Sequence, residues 1–186
     1  MPTRSAMSIL ACAFVVALAA GSMAEAGRGT ISINPLAAVF SNGALSCECG
    51  ILMPEFVDST VTVSFQIPKG YRKNSPLTVV VDYHAFGSAT SCDYVLLPNS
   101  ANVYRPGENA LSISAGFFQP ADGSPIIPAQ GQVVGEKTFQ LSTLGGFTLE
   151  SGASIFLKFE RQGTSGNDTC ADPLEINGIS VQYITR

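Results

Sequence analysis

From residue 27 onward, apolar residues recur at every second position in short runs. Glycine, proline, asparagine and serine fall between the runs. A period of two keeps alternate side chains on one face of a strand, so such runs predict half-buried β-strands. The run 60–67 (TVTVSFQI) is the clearest. Val61, Val63, Phe65 and Ile67 fall on one face, with Thr60, Thr62, Ser64 and Gln66 on the other. Pro68-Lys69-Gly70 ends it. The run 77–86 sets Leu77, Val79, Val81 and Tyr83 on one face. Further strands are predicted at 30–34, stopped by Pro35, and at 93–97, stopped by Pro98-Asn99. Others are predicted at 110–115, 132–142, 153–161 and 174–184. Val134, Lys137, Phe139 and Leu141 make 132–142 less regular. The last run carries Ile176, Ile179, Val181 and Tyr183, and Asn177-Gly178 predicts a bulge inside it. The reading is about eight strands in an all-β, two-sheet antiparallel sandwich of jelly-roll type. No fixed-period repeat and no linker interrupts 27–186, which is read as a single domain.

The first 26 residues follow another pattern. Arg4 precedes an apolar run centred on ILACAFVVALAA, and Ala24-Glu25-Ala26 fits the small-x-small rule for signal peptidase. A secretory signal peptide over 1–26 is predicted, with cleavage after Ala26. The run falls short of the roughly 20 apolar residues needed to span a bilayer, so no transmembrane segment is expected after cleavage. Arg4 and Glu25 leave together, so the formal net charge stays at −4. The expected location is secreted or periplasmic.

Export changes the reading of the cysteines. Cys12 leaves with the signal, and Cys47, Cys49, Cys92 and Cys170 remain. An even number in an exported chain implies disulfides. A Cys47–Cys49 ring is too small for good geometry. In an extended segment these two point the same way, so the expectation is two long-range bridges. Each joins Cys47 or Cys49 to Cys92 or Cys170. Zinc is the weaker reading, because the paired C-x2–4-C knuckles of structural sites are absent.

The segment 115–131 (AGFFQPADGSPIIPAQG) has three prolines and cannot be regular strand throughout. Its apolar pairs, Phe117-Phe118 and Ile126-Ile127, either cover one end of the core or form a contact loop for a ligand or partner.

The C-terminal stretch FLKFERQGTSGNDTCADPLEINGISVQYI runs from Phe156 to Ile184. A strand ends in Arg161, Gly163 and a polar turn follow, and then come Asp168-Thr169, Asp172 and a closing strand L-x-I-x-G-I-x-V-x-Y. This pattern resembles the closing hairpin of jelly-roll modules in phage tail-associated and uncharacterised bacterial secreted proteins. The resemblance implies a β-sandwich used for oligomerisation or surface attachment, without catalysis. Independently of it, Asp168 is placed to accept backbone N–H groups in its own turn. Arg161 is placed to pair with Asp168 or Asp172, an interaction of about 0–1 kcal/mol if exposed.

Little catalytic raw material is present. His84 is the single histidine, and no G-x-S-x-G elbow occurs. The acids Glu48, Glu55, Asp58, Asp82, Asp93, Glu108 and Glu160 offer glycosidase chemistry only if the fold pairs two of them. The loop with Asn167, Asp168, Thr169 and Asp172 lacks EF-hand spacing, though Asn167-Asp168-Thr169 also fits the N-x-T glycosylation pattern. With 10 Lys and Arg against 14 Asp and Glu, nucleic acid is not an expected partner. No cofactor and no metal are expected. There is no Trp, so a sugar platform would rest on Tyr71, Tyr94, Tyr104 or Phe117-Phe118. The expected function is a non-catalytic module with a structural, adhesive or protein-interaction role, and the resemblance implies a homo-oligomer. A carbohydrate- or small-ligand-binding module is the alternative, and a glycoside-acting enzyme the second.

Overall fold

The computed structural model describes residues 27–186 apart from 42, 48–49, 88–89, 106, 108–110, 115–117 and 142–148. It leaves out the side chains of 36, 111–114 and 118–119. The described residues form thirteen strands: β1 (Arg28–Ile33), β2 (Val39–Ser41), β3 (Leu45–Ser46), β4 (Ile51–Met53), β5 (Asp58–Gln66), β6 (Leu77–Ala85), β7 (Cys92–Tyr104), β8 (Leu111–Ser114), β9 (Phe118–Pro120), β10 (Ile126–Ala129), β11 (Val133–Leu141), β12 (Ser154–Gln162) and β13 (Leu174–Ile184). One antiparallel sheet runs β3-β4-β13-β6-β11-β9, with β1 beside β13. The other runs β10-β7-β12-β5-β2, with β8 beside β7. The fold is an all-β sandwich, as the alternation predicts.

The inner faces are those read from the sequence. Val61, Val63 and Phe65 of β5 and Leu77, Val79, Val81 and Tyr83 of β6 are all buried in one continuous core. Phe139 of the first sheet meets Phe159 of the second across it, with ring centroids 5.3 Å apart. Burial of each large apolar side chain contributes roughly 1.5–3 kcal/mol, so this shared interior holds the two sheets together.

Two long strands change parity part-way, and each does so at a register shift. In β13 the inward residues are Leu174 and Ile176, then Ile179 and Val181. Even and odd positions would face opposite ways in a regular strand. The shift between Ile176 and Gly178 absorbs Asn177 and returns the second half to the core. That is the bulge the Asn-Gly pair predicts. In β7 the inward residues pass from Tyr94 and Leu96 to Ala101 and Val103. The shift lies opposite Lys158 and Phe159, where Ser100 and Pro98 are the successive partners.

Pro98 therefore does not end the strand at 97, as its lack of an N–H suggested. It sits at the irregularity, where the ladder is already broken. The number of strands also exceeds the expected eight. The extra ones, β2, β3, β4, β9 and β10, have two to four residues each, too short to show a period. The segment 115–131 contains two of them. β9 pairs with β11 at the edge of the first sheet, and β10 pairs with β7 at the edge of the second. Between them, Lys137 Nζ donates to Asp122 Oδ2 at 2.7 Å and to the Ile126 carbonyl at 3.0 Å. The Lys137 bond holds the Asp122 carboxyl below the usual carboxylate range.

The β3–β4 hairpin is docked on the β13 bulge through Gly50. A Cβ there would lie 2.1 Å from the Ile176 carbonyl oxygen and 2.9 Å from its carbon. Backbone cannot yield as a flexible side chain does. Gly50→Ala is expected to lower stability by about 1–3 kcal/mol, the usual cost of overpacking. Gly70→Ala is the control, because nothing lies within 4 Å of its added methyl. Urea unfolding of both variants checks this, and equal midpoints would refute it.

Candidate functional site

Arg161 ends β12 on its inward face, fully buried. All five of its N–H donors are used. Nε and Nη2 clamp the two oxygens of Asp168 at 3.0 and 2.9 Å. Nη1 donates to the carbonyls of Met53 and Asp172, and Nη2 donates also to that of Cys170. The guanidinium lies 4.7 Å from the centre of the Tyr94 ring. Asp168 Oδ2 accepts the Val95 N–H as well. The pairing with Asp168 matches the sequence reading, but its setting does not. The pair is buried, and Asp172 contributes its carbonyl. This fork fastens the loop 163–173 to β4, β7 and β12. Asp168 is thus occupied by the guanidinium and a backbone amide. Thr169 Oγ1 accepts the Asp93 N–H, and Asn167 is exposed.

The same loop corrects the disulfide expectation. Cys92 is bonded to Cys170, with Cα atoms 5.1 Å apart, and Cys47 is a free thiol. The reason is local. The N–H groups of Thr169 and Cys170 both donate to the Asp93 carbonyl, which lays Cys170 against the first residue of β7. Cys47 sits at the far side of the first sheet, and Cys49 lies outside the described residues. Neither Cys47–Cys92 nor Cys47–Cys170 forms.

Cys47 instead meets the single histidine through a shared acid. Glu175, 5% exposed on the outer side of β13, accepts the Cys47 thiol on Oε1 and faces His84 Nδ1 with Oε2, both at 3.3 Å. His84 also packs on Phe86. The carboxylate stands between sulfur and imidazole, so no thiol–imidazole contact of the nucleophile–base kind is present here. Among the described residues, no three His, Cys, Asp or Glu side chains are placed to hold a metal ion. Of the acids considered for glycoside chemistry, Asp58 is bonded to Thr164 and Glu160 accepts from Asn99. Glu48 and Glu108 lie outside the described residues.

The contact-loop residues are placed only in part. Phe117 lies outside the described residues, and Phe118 is described only as backbone in β9. Ile126 is half-buried in β10, and Ile127, 1% exposed, is a core residue with no surface to offer. Tyr71 and Tyr94 are likewise fully buried, so of the tyrosines considered as a sugar platform Tyr104 alone is exposed.

Exposed apolar side chains gather elsewhere. The chain passes from β2, an edge of the second sheet, directly to β3, an edge of the first. This closes one side of the sandwich. Val39, Leu45, Phe56 and Val57 are exposed along that side. A Cβ on Gly43 would lie within 3.6 Å of both Pro54 and Val57, so the β2–β3 turn and the β4–β5 turn touch. Phe56 is 71% exposed and sits at φ 58°, a left-handed backbone that bulky residues rarely adopt. Its turn is held by Gly163, where a Cβ would come within 2.5 Å of the Val57 carbonyl, and by Thr164 on Asp58. None of these residues was singled out by the sequence pattern. Val39 and Phe56 belong to runs too short to show which face is outward.

No family model matches the chain, and no curated protein matches it. Among solved structures it is similar to an exo-β-1,3-galactanase from Phanerochaete chrysosporium, determined with galactose, at 17% identity and a TM-score of 0.32. The alignment takes in 82% of this chain and 29% of the galactanase chain. At that score the likeness carries no argument about fold or activity. No helix among the described residues is long and apolar enough to cross a membrane.

Proposed function

We propose that the chain is an exported β-sandwich module that works through surface contact, in a structural, adhesive or protein-interaction role, and not by catalysis. Export is supported by the apolar segment before Ala24-Glu25-Ala26 and by the Cys92–Cys170 disulfide, a bond that persists in oxidising compartments. The observation that carries the contact role is the apolar side built from Val39, Leu45, Phe56 and Val57. Phe56 is pushed into solvent on a disfavoured backbone, and the fold gains no core contact from it. Two sheet edges flank it, and such edges offer unpaired backbone groups to another chain.

The test is a photo-activated phenylalanine analogue placed at position 56 of the protein in its own source, with the same analogue at exposed Val134 as control. A discrete cross-linked species from position 56, absent from position 134, is expected. A Leu45→Ser, Phe56→Ser variant should lose the activity of the module in whole cells while keeping its melting temperature. Cross-links of equal yield from positions 56 and 134, or none from either, would overturn the reading.

A further inference from the structure

We infer that the outer face of the second sheet is a binding face for a neutral polysaccharide, centred on Tyr104 and Phe156. This face adjoins the apolar side at β2, where Val39 stands opposite Thr62, but its two rings lie on β7 and β12 and are tested there. The strands β7, β12 and β5 lie side by side, and their registers set the outward residues in rows. Tyr104, Ser154 and Gln66 form one row, and Asn102, Phe156 and Ser64 the next. The two rings meet edge to face with centroids 5.2 Å apart, and 44% of Tyr104 and 42% of Phe156 remain exposed. Two aromatic side chains have therefore been placed where alternation calls for polar ones. They support each other and not the core.

The neighbours are hydroxyls and amides. The next two rows, Ser100, Lys158 and Thr62, then Leu97, Glu160 and Thr60, add one cation and one anion. The four rows carry no net charge, so they select neither anions nor cations. Exposed rings set among side chains that both donate and accept hydrogen bonds match a ligand with apolar C–H faces and many hydroxyls. An extended neutral glycan presents both along a flat, strand-like length. A protein partner would be expected to meet a more continuous apolar patch, of the kind found on the side that carries Phe56.

Depletion from solution by particles of cellulose, chitin, β-1,3-glucan and β-1,4-xylan, run in parallel, tests the site. The full mature chain should be retained saturably by at least one of the four. Retention should survive about 1 M NaCl, which screens charge-driven adsorption. Phe156→Ala and Tyr104→Ala should each weaken it about tenfold, the scale of losing one anchoring aromatic. Asn102→Ala, which leaves both rings, should weaken it less, and Val134→Ser on the opposite outer face should not change it. Each ring is more than half covered and packs on the other, so the two aromatic variants should melt a few degrees lower but remain folded at the assay temperature, and Val134→Ser should melt like the parent. If an aromatic variant does unfold, Asn102→Ala together with Ser64→Ala carries the test. No retention by any of the particles, retention indifferent to these substitutions, or retention abolished by salt would each overturn the inference.

Discussion

Replacing Arg161 by Leu is expected to destabilise the domain by about 3–5 kcal/mol, the usual cost of removing one partner from a buried ion pair. The variant would strand the Asp168 carboxylate, whose side chain is 1% exposed, with the Val95 N–H as its one remaining donor among the described residues. It would also leave the carbonyls of Met53, Cys170 and Asp172 without the guanidinium. Arg161→Lys should recover little of this. Lysine keeps the charge but has three donors and no planar fork, whereas five directions are filled here. Urea denaturation of Arg161→Leu, Arg161→Lys and Asp168→Asn measures the effects. A lysine variant within about 1 kcal/mol of the parent would show that a point charge suffices and would sink the five-donor account. The double replacement Arg161→Leu, Asp168→Leu should cost less than the two single losses together, because it leaves no unpaired buried charge.

Arg161 also shows how much the amino-acid sequence discloses. The run ASIFLKFER places Arg161 on the same parity as Ile155, Leu157 and Phe159, which are core residues. Read strictly, alternation buries the arginine and exposes Phe156. The structure agrees on both points. A pairing of Arg161 with Asp168 or Asp172 was legible from the short separation, and the inward faces of β5 and β6 were legible from period alone; that Asp168 is the partner emerges in the fold. What was not legible depends on contacts between distant segments. The parity change of β7 needs knowledge of its partner β12, since Pro98 by itself argues for a stop. Strands of two to four residues, such as β3 and β4, carry no measurable period and exist because a neighbour pairs with them. Glu175 follows the same rule. Its burial comes from Cys47 and His84, 128 and 91 residues away. The apolar side around Phe56 comes from two turns touching at Gly43, and Phe56 itself has no local pattern that marks it as exposed.

Cysteine pairing is the plainest case of that dependence, and it leads to the second large effect. Cutting the Cys92–Cys170 bond, as Cys92→Ser with Cys170→Ser, is expected to cost about 4.5 kcal/mol for a closed loop of this length in the chain-entropy account. The two residues are 78 apart in sequence, so the unfolded chain regains a large freedom. Cys47→Ser should matter far less, within about 1 kcal/mol, because it exchanges one hydrogen-bond donor for another beside Glu175. The bridge and the Arg161 fork hold the same loop: Nη2 of Arg161 bonds the carbonyl of Cys170 itself. Each device holds Cys170 where the other needs it, beside the two N–H groups on the Asp93 carbonyl, so losing one already weakens the other. Removing both should therefore cost less than the sum of the separate losses, as is usual for groups that share a partner. Their joint loss would still approach the whole stability of an ordinary domain, about 5–15 kcal/mol, and should leave the chain largely unfolded. Denaturation of the two single variants and the combined one measures the coupling, and strict additivity would show that they hold different parts of the fold. A peptide joining Cys92 to Cys170 is expected in a non-reduced digest of the protein. A peptide joining Cys47 to either of them would overturn both the pairing and the coupling that rests on it.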